Sequence, residues 1–144
     1  MNDIDGGRTP VWFRIVAVAA VLWNVFGVYA YLEHVGLIAR MQPMTPEQQA
    51  LAASTPGWVT GAFAIAVFSA LVASLAMTIG RYWARGLFAL SLLCIAVQLG
   101  WTLFVSDARA AEGPLATIMP LVIMAIGALL LWIAAMGVRK GWLR

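Results

Sequence analysis

Apolar residues fill four long stretches of this chain, separated by short polar connections, and within each stretch they occupy every face of a helix instead of a single stripe. A helix buried in a soluble core shows a polar face somewhere along its length; these do not. A bilayer core about 30 Å thick is crossed by about 20 helical residues, and the stretches at 14–35, 57–79, 84–105 and 114–138 all reach that length. They predict one membrane domain over 1–144, an all-α bundle of four transmembrane helices. The first stretch contains Ala17-Val18-Ala19, the small-residue spacing of a signal-peptide cleavage site, but it falls too early in an apolar run that continues beyond it. An uncleaved helix is expected.

The connections are short. Only the one between the first and second spans has room for structure of its own: Thr45 suits a helix N-cap, Pro46 the first helical position, and Gln48 completes the capping-box spacing. A short amphipathic helix through Glu47–Ala53 is predicted there. Ser54-Thr55-Pro56 repeats the same start signal before the second span. The two halves of the chain show no repeat.

Composition sharpens this picture. With 63% hydrophobic and 10% charged residues among 144, the chain lies outside the range of soluble domains. Its nine Lys and Arg residues are not clustered as a nucleic-acid surface would need; they sit in small groups between the spans, the distribution that orients a membrane protein; nucleic acid is not an expected partner. Arg8, Arg14, Arg81, Arg85, Arg139, Lys140 and Arg144 fall on one side of the predicted bundle, and only Arg40 and Arg109 on the other. The positive-inside bias therefore predicts that both termini are cytoplasmic. Glu33, Glu47, Asp107 and Glu112 lie on the outer side, Asp3 and Asp5 on the inner. Trp12, Tyr82, Trp83 and Trp142 mark the inner boundary and Tyr31, Trp58 and Trp101 the outer one, as interfacial aromatics should. Trp23 and Trp132 lie well inside their spans and are expected to fill packing gaps.

Helices associate in lipid through close packing and interhelical hydrogen bonds, so small residues mark the contacts. In the second span Ala62, Ala66, Ala70, Ser74 and Thr78 recur every four residues as an uninterrupted stripe, which predicts close approach to another helix of the chain or to a second protomer. Ala20, Asn24, Gly27 and Tyr31 share a face of the first span, and the fourth offers Ala125, Ala128, Ala135 and Gly137. Pro120 deprives the carbonyl of Ala116 of its helical donor and predicts a kink near the outer end of the fourth span.

Candidate chemistry is sparse. Asn24 and Gln98 are the mid-membrane polar residues, roughly 15 and 18 Å from the inner boundary at ~1.5 Å per residue. Burial without partners is costly there, so they are expected either to clamp two helices or to line the polar interior of a small-solute site. Glu33, next to the apolar run, is the third candidate. Glu33, His34, Asp107 and Glu112 could together hold a cation, but a single histidine without a spaced ligand pair reads more simply as solvated helix ends, so no metal and no cofactor are expected. Cys94 stands alone in an apolar span and reads as packing. Arg14 reads as a snorkelling anchor and the Arg139–Arg144 segment as an anionic-lipid contact. The absence of a catalytic set or phosphate loop in the sequence predicts that the protein is not an enzyme.

Leu22-Trp23-Asn24 with Gly27 and Tyr31, Pro56-Gly57-Trp58 followed by Ala62 to Phe68, Ser91-Leu92-Leu93 with Gln98, Met119-Pro120 and Gly141-Trp142-Leu143 together resemble a group of short four-span bacterial inner-membrane proteins often labelled sugar transporters. More distantly the chain looks like the four-span DoxX-type proteins. The resemblance implies a bacterial cytoplasmic membrane and brings no functional residue with it. Small multidrug transporters share the four-span layout but carry a membrane-embedded Glu in the first helix, whereas the only acid here is Glu33 at its outer end. Two functions are compatible with these features. One is a protein that binds or transports a small solute as a homo-oligomer, with Asn24 and Gln98 in its polar interior; the other is a non-catalytic accessory subunit of a larger membrane complex.

Overall fold

The computed structural model describes residues 8–144, so Asp3 and Asp5 lie outside it. Among the described residues every element is helical: α1 (Val11–His34), α2 (Pro46–Ser54), α3 (Gly57–Thr78), α4 (Ala84–Phe104), α5 (Ala108–Glu112) and α6 (Leu115–Arg139). Four of these, α1, α3, α4 and α6, are long and apolar enough to cross a membrane. The protein is a small multi-pass membrane protein, and lipid contacts the apolar side chains that these helices turn outward.

α1 packs on α3, α3 on α4 and α4 on α6. The small residues of α3 make this possible. Ala66, Ala70 and Ser74 are buried inside the chain, Ala62 is half-buried and Thr78 is exposed. Of the two destinations open to the stripe, its middle takes the intrachain one, facing α1 on one flank and α4 on the other. The Ser91 hydroxyl donates to the Ala66 carbonyl at 2.8 Å, tying α4 to α3 through a backbone that only a small side chain leaves reachable. On α6 the packing residues are Gly127, Leu130, Ile133, Ala134 and Gly137. Ala125 and Ala128, expected at a contact, are exposed because the buried face runs through positions 127, 130, 134 and 137, and these two fall beside it.

The described N-terminal residues and the C-terminus meet at one end of the bundle, here the terminal end. Phe13, Met77, Phe88 and Leu143 are buried together there with Ala17, Ala73, Ala84 and Ala134. Gly137 has no room for a side chain, since a Cβ would stand 2.8 Å from Phe13 Cζ. α3 and α6 both end in Schellman turns, with Gly80 at φ 77° and Gly141 at φ 73°, closed by Arg81 N donating to Ala76 O at 2.8 Å and Trp142 N to Gly137 O at 2.8 Å. The two turns join: Arg144 N donates to Gly80 O at 2.8 Å and Tyr82 N to Arg144 O at 3.3 Å. Trp142 packs edge-on against Trp12 and Phe13.

The opposite, distal end is built differently. The capping box of α2 forms as its spacing requires, with Gln48 N donating to Thr45 Oγ1 and Thr45 N to Gln48 Oε1. The amphipathic character of α2 is slight: none of its residues is buried, and Gln48 and Leu51 turn partly inward. α5, one turn after Asp107, has no counterpart in the sequence reading. It packs against α2 and α6, and the two short helices together roof the bundle. α6 is continuous through Pro120. Neither deep tryptophan fills a packing gap: Trp132 is 57% exposed and turns towards the surrounding lipid, while Trp23 is 39% exposed and also borders a cavity between the spans.

Candidate functional site

Asn24 on α1 and Gln98 on α4 do different things. Asn24 is 8% exposed. Its Nδ2 donates to the Ala20 carbonyl at 2.8 Å and to Ser74 Oγ at 2.7 Å, and Ser74 passes its own proton to the Ala70 carbonyl at 2.8 Å. This chain of bonds joins α1 to α3 and uses both donors of the amide. The partner of Asn24 is thus a stripe residue on α3, and Gln98 takes no part in it.

Gln98 is half-buried, and among the described residues its side-chain amide meets no hydrogen-bond partner. It faces open space instead. A cavity of about 350 Å³ occupies the distal end, roofed by Gln48 and Leu51 of α2 and walled by Thr60 and Phe63 of α3, Gln98, Trp101 and Thr102 of α4, and Ala116 and Pro120 of α6. Its rim carries His34, Arg40 and Glu112. A volume of this order is typical of small-molecule sites. Thr102, one turn beyond Gln98 on the same face, also lines the cavity, and its hydroxyl donates to the Gln98 backbone carbonyl at 3.0 Å. Pro120 has no N–H, so the Ala116 carbonyl lacks its usual donor, and Ala116 also lines this space.

The third candidate, Glu33, is not among the lining residues. Its Oε1 accepts from Met41 N at 2.9 Å and fixes the loop that follows α1. Beside it, Arg40 Nη2 donates to the His34 carbonyl at 3.4 Å, and the His34 ring lies edge-on to Phe63 at 5.6 Å. Phe63 also receives Tyr31 at 5.4 Å. These rings form a firm wall under the loop. Of the four acids and bases grouped by sequence, His34 and Glu112 reach the cavity, while Glu33 and Asp107 do not. Among the described residues, no three His, Cys, Asp or Glu side chains converge as a metal site would require.

Among the polar and aromatic lining residues, Thr60, Trp101 and Thr102 were not site candidates in the sequence. Thr102 was accessible in principle, because Gln98 and Thr102 stand four apart on one helical face. Thr60 and Trp101 carry no such signal, since threonine at a helix start and tryptophan at an interface have ordinary structural roles.

In chemical terms the site can donate and accept hydrogen bonds through the Gln98 amide, accept them at Thr102, and present Arg40 and Glu112 at its rim. The fold and this cavity define a small polytopic membrane protein with a half-buried polar chamber open to one end. No protein-family model matches the chain, and neither a curated protein nor a solved structure matches it.

Proposed function

We propose that this protein binds a small solute within the membrane, in the distal cavity, with Gln98 as its principal hydrogen-bonding contact. One observation carries the reading: the Gln98 amide, held in a mostly apolar bundle without an internal partner, faces a chamber large enough for a small molecule. A half-buried amide without a protein partner is left to water or to a ligand for its hydrogen bonds. A purely structural clamp would show the bonding that Asn24 shows. The mixed rim of Arg40 and Glu112 favours neutral or zwitterionic solutes over strongly charged ones. No catalytic step is assigned to the site.

The same reading places the protein in a bacterial cytoplasmic membrane with both termini in the cytoplasm, so that the cavity faces outward. The support is the distribution of Arg and Lys between the two ends and the resemblance to short four-span inner-membrane proteins. Transport of the solute, expected of a homo-oligomer, needs an opening through the terminal end, and any second copy must dock elsewhere than on the stripe, whose middle is buried. The alternative of an accessory subunit draws on the outward-facing Ala125 and Ala128 of α6, a face that lipid covers equally well.

The orientation is tested in a Cys94→Ser background with single thiols introduced by Gln49→Cys and Lys140→Cys. A membrane-impermeant maleimide added to intact cells is expected to label the first and spare the second; the reverse pattern would overturn the assignment. Binding is tested by thermal unfolding of the reconstituted protein against a panel of monosaccharides, polyols and amino acids. At least one class is expected to raise the midpoint in a concentration-dependent way, and Gln98→Leu to abolish that rise with little change in the unliganded midpoint. A stabilisation that survives Gln98→Leu would remove Gln98 from the site.

A further inference from the structure

Below the distal cavity lies a second chamber of about 270 Å³, and its chemistry is different. Its walls are Gly27 and Ala30 of α1, Ala66 and Val67 of α3, Ile95 of α4 and Ile123 of α6. The Ser91 hydroxyl also lies here, already committed to the Ala66 carbonyl. The two chambers share Phe63, Gln98, Thr102, Met119, Pro120 and Ile123, so Gln98 and Thr102 stand at their common boundary. The space therefore grades from apolar in its lower part, through an amide and a hydroxyl at the junction, to a charged and polar rim at the distal end.

The lower chamber also has a side opening. α1 packs on α3, α3 on α4 and α4 on α6, but α1 and α6 share no comparable packing, and the helices form an open arc. Their meeting point, Phe13 against Gly137, is at the terminal end. Towards the distal half Trp23 and Phe26 of α1 and Met119 and Ile123 of α6 line the chamber and are at the same time exposed, Phe26 by 67% and Met119 by 48%. A residue that lines a cavity and also faces outward marks where that cavity reaches the exterior. Here the exterior is lipid, since Trp23 lies near the middle of its span.

Resting on the reading of the distal cavity as a binding site, we infer that the two chambers form one site for a single-chain amphiphile with an uncharged or zwitterionic polar head, taken from the bilayer through the α1–α6 seam. The apolar chain lies in the lower chamber, which follows α3 from Ala70 to Phe63 over about 10 Å. The remainder of a longer chain leaves through the seam into lipid. The head reaches the Gln98 amide at the junction and the groups of Arg40, Gln48 and Glu112 above it. A wholly water-soluble solute would leave the lower chamber with no polar function to meet. A hydrocarbon would leave Gln98 unpaired.

The inference is tested with the full-length protein in nanodiscs and lysophosphatidylcholine carrying a diazirine at the end of its chain. After irradiation, peptide mapping is expected to place adducts on the segments around Trp23–Ala30 and Met119–Ile123, and excess unlabelled lysophosphatidylcholine is expected to suppress them at least fivefold. Ala30→Phe and Ile123→Trp, which narrow the chamber from opposite walls, should reduce those adducts severalfold, while Leu93→Phe on the lipid face should not. The map from the unaltered protein decides the matter even if one narrowing variant fails to fold. Unsaturable adducts spread over outward residues such as Leu22, Leu93 and Leu129 would overturn the inference. If the solute panel still stabilised the protein through Gln98 in that case, the solute reading would stand alone; if it did not, both would fall.

Discussion

Asn24 and Gln98 are both carboxamides near the middle of apolar helices, and their environments separate them. The Asn24 side chain is short and held against its own helix by the Ala20 carbonyl, so its second donor is delivered at a fixed angle to Ser74. Gln98 is one methylene longer and turns into a cavity. Interhelical hydrogen bonds of the first kind contribute about 0.6 to 1.7 kcal/mol in membranes. A double-mutant cycle of Asn24→Ala and Ser74→Ala in unfolding from mixed micelles is expected to return a coupling in that range, and purely additive losses would argue against the bond. Both amides stand out in the sequence, because polar residues in such spans are rare. Their partners do not: Ser74 was visible only as one small residue in a stripe, and nothing in a sequence reports which of two neighbouring helices an amide will face.

The four long helices were readable because their signal is composition over some twenty residues, and the α2 cap because three residue types at fixed spacing leave one conformation favoured. α5 escaped notice since a five-residue helix has neither periodicity nor a capping side chain, and its Asp107 makes no cap hydrogen bond. The buried face of α6 was legible only in part: Gly137 packs as its size suggests, but Ala125 and Ala128 are exposed, because the choice among equally small residues depends on how the helix is rotated against α4 and α1. That rotation is fixed by Gly137, against which Phe13 closes. Gly137→Ala places a methyl within 2.8 Å of the ring, and overpacking of this kind costs about 1 to 3 kcal/mol. The variant is expected to unfold correspondingly earlier in thermal melts, with Phe13→Leu restoring part of the loss by opening space. An unchanged midpoint for Gly137→Ala would show that α1 and α6 are not locked there.

The whole molecule is asymmetric along its axis. At the terminal end, aromatic and aliphatic side chains pack with the two joined Schellman turns into a closed plug; at the distal end the helices part beneath a thin roof of α2 and α5 and leave a chamber. At the terminal end Ala73, Ala84, Ala134 and Gly137 pack directly around Phe13, Met77 and Phe88, whereas Gly27, Ala30 and Ala66 of the distal half border open space. A pathway through the bundle would need the plug to open, and binding from one end would not. The most direct test uses two positions on α3, Thr60 in the chamber and Met77 in the plug, about 25 Å apart along the helix. Each is replaced by cysteine in a Cys94→Ser background, and the rate of modification by a small water-soluble methanethiosulfonate is measured from both sides of sealed proteoliposomes. The thiol of Thr60→Cys is expected to react readily from the distal side alone and that of Met77→Cys from neither. An unreactive thiol at position 60, or ready reaction at position 77, would contradict a one-ended, water-accessible site.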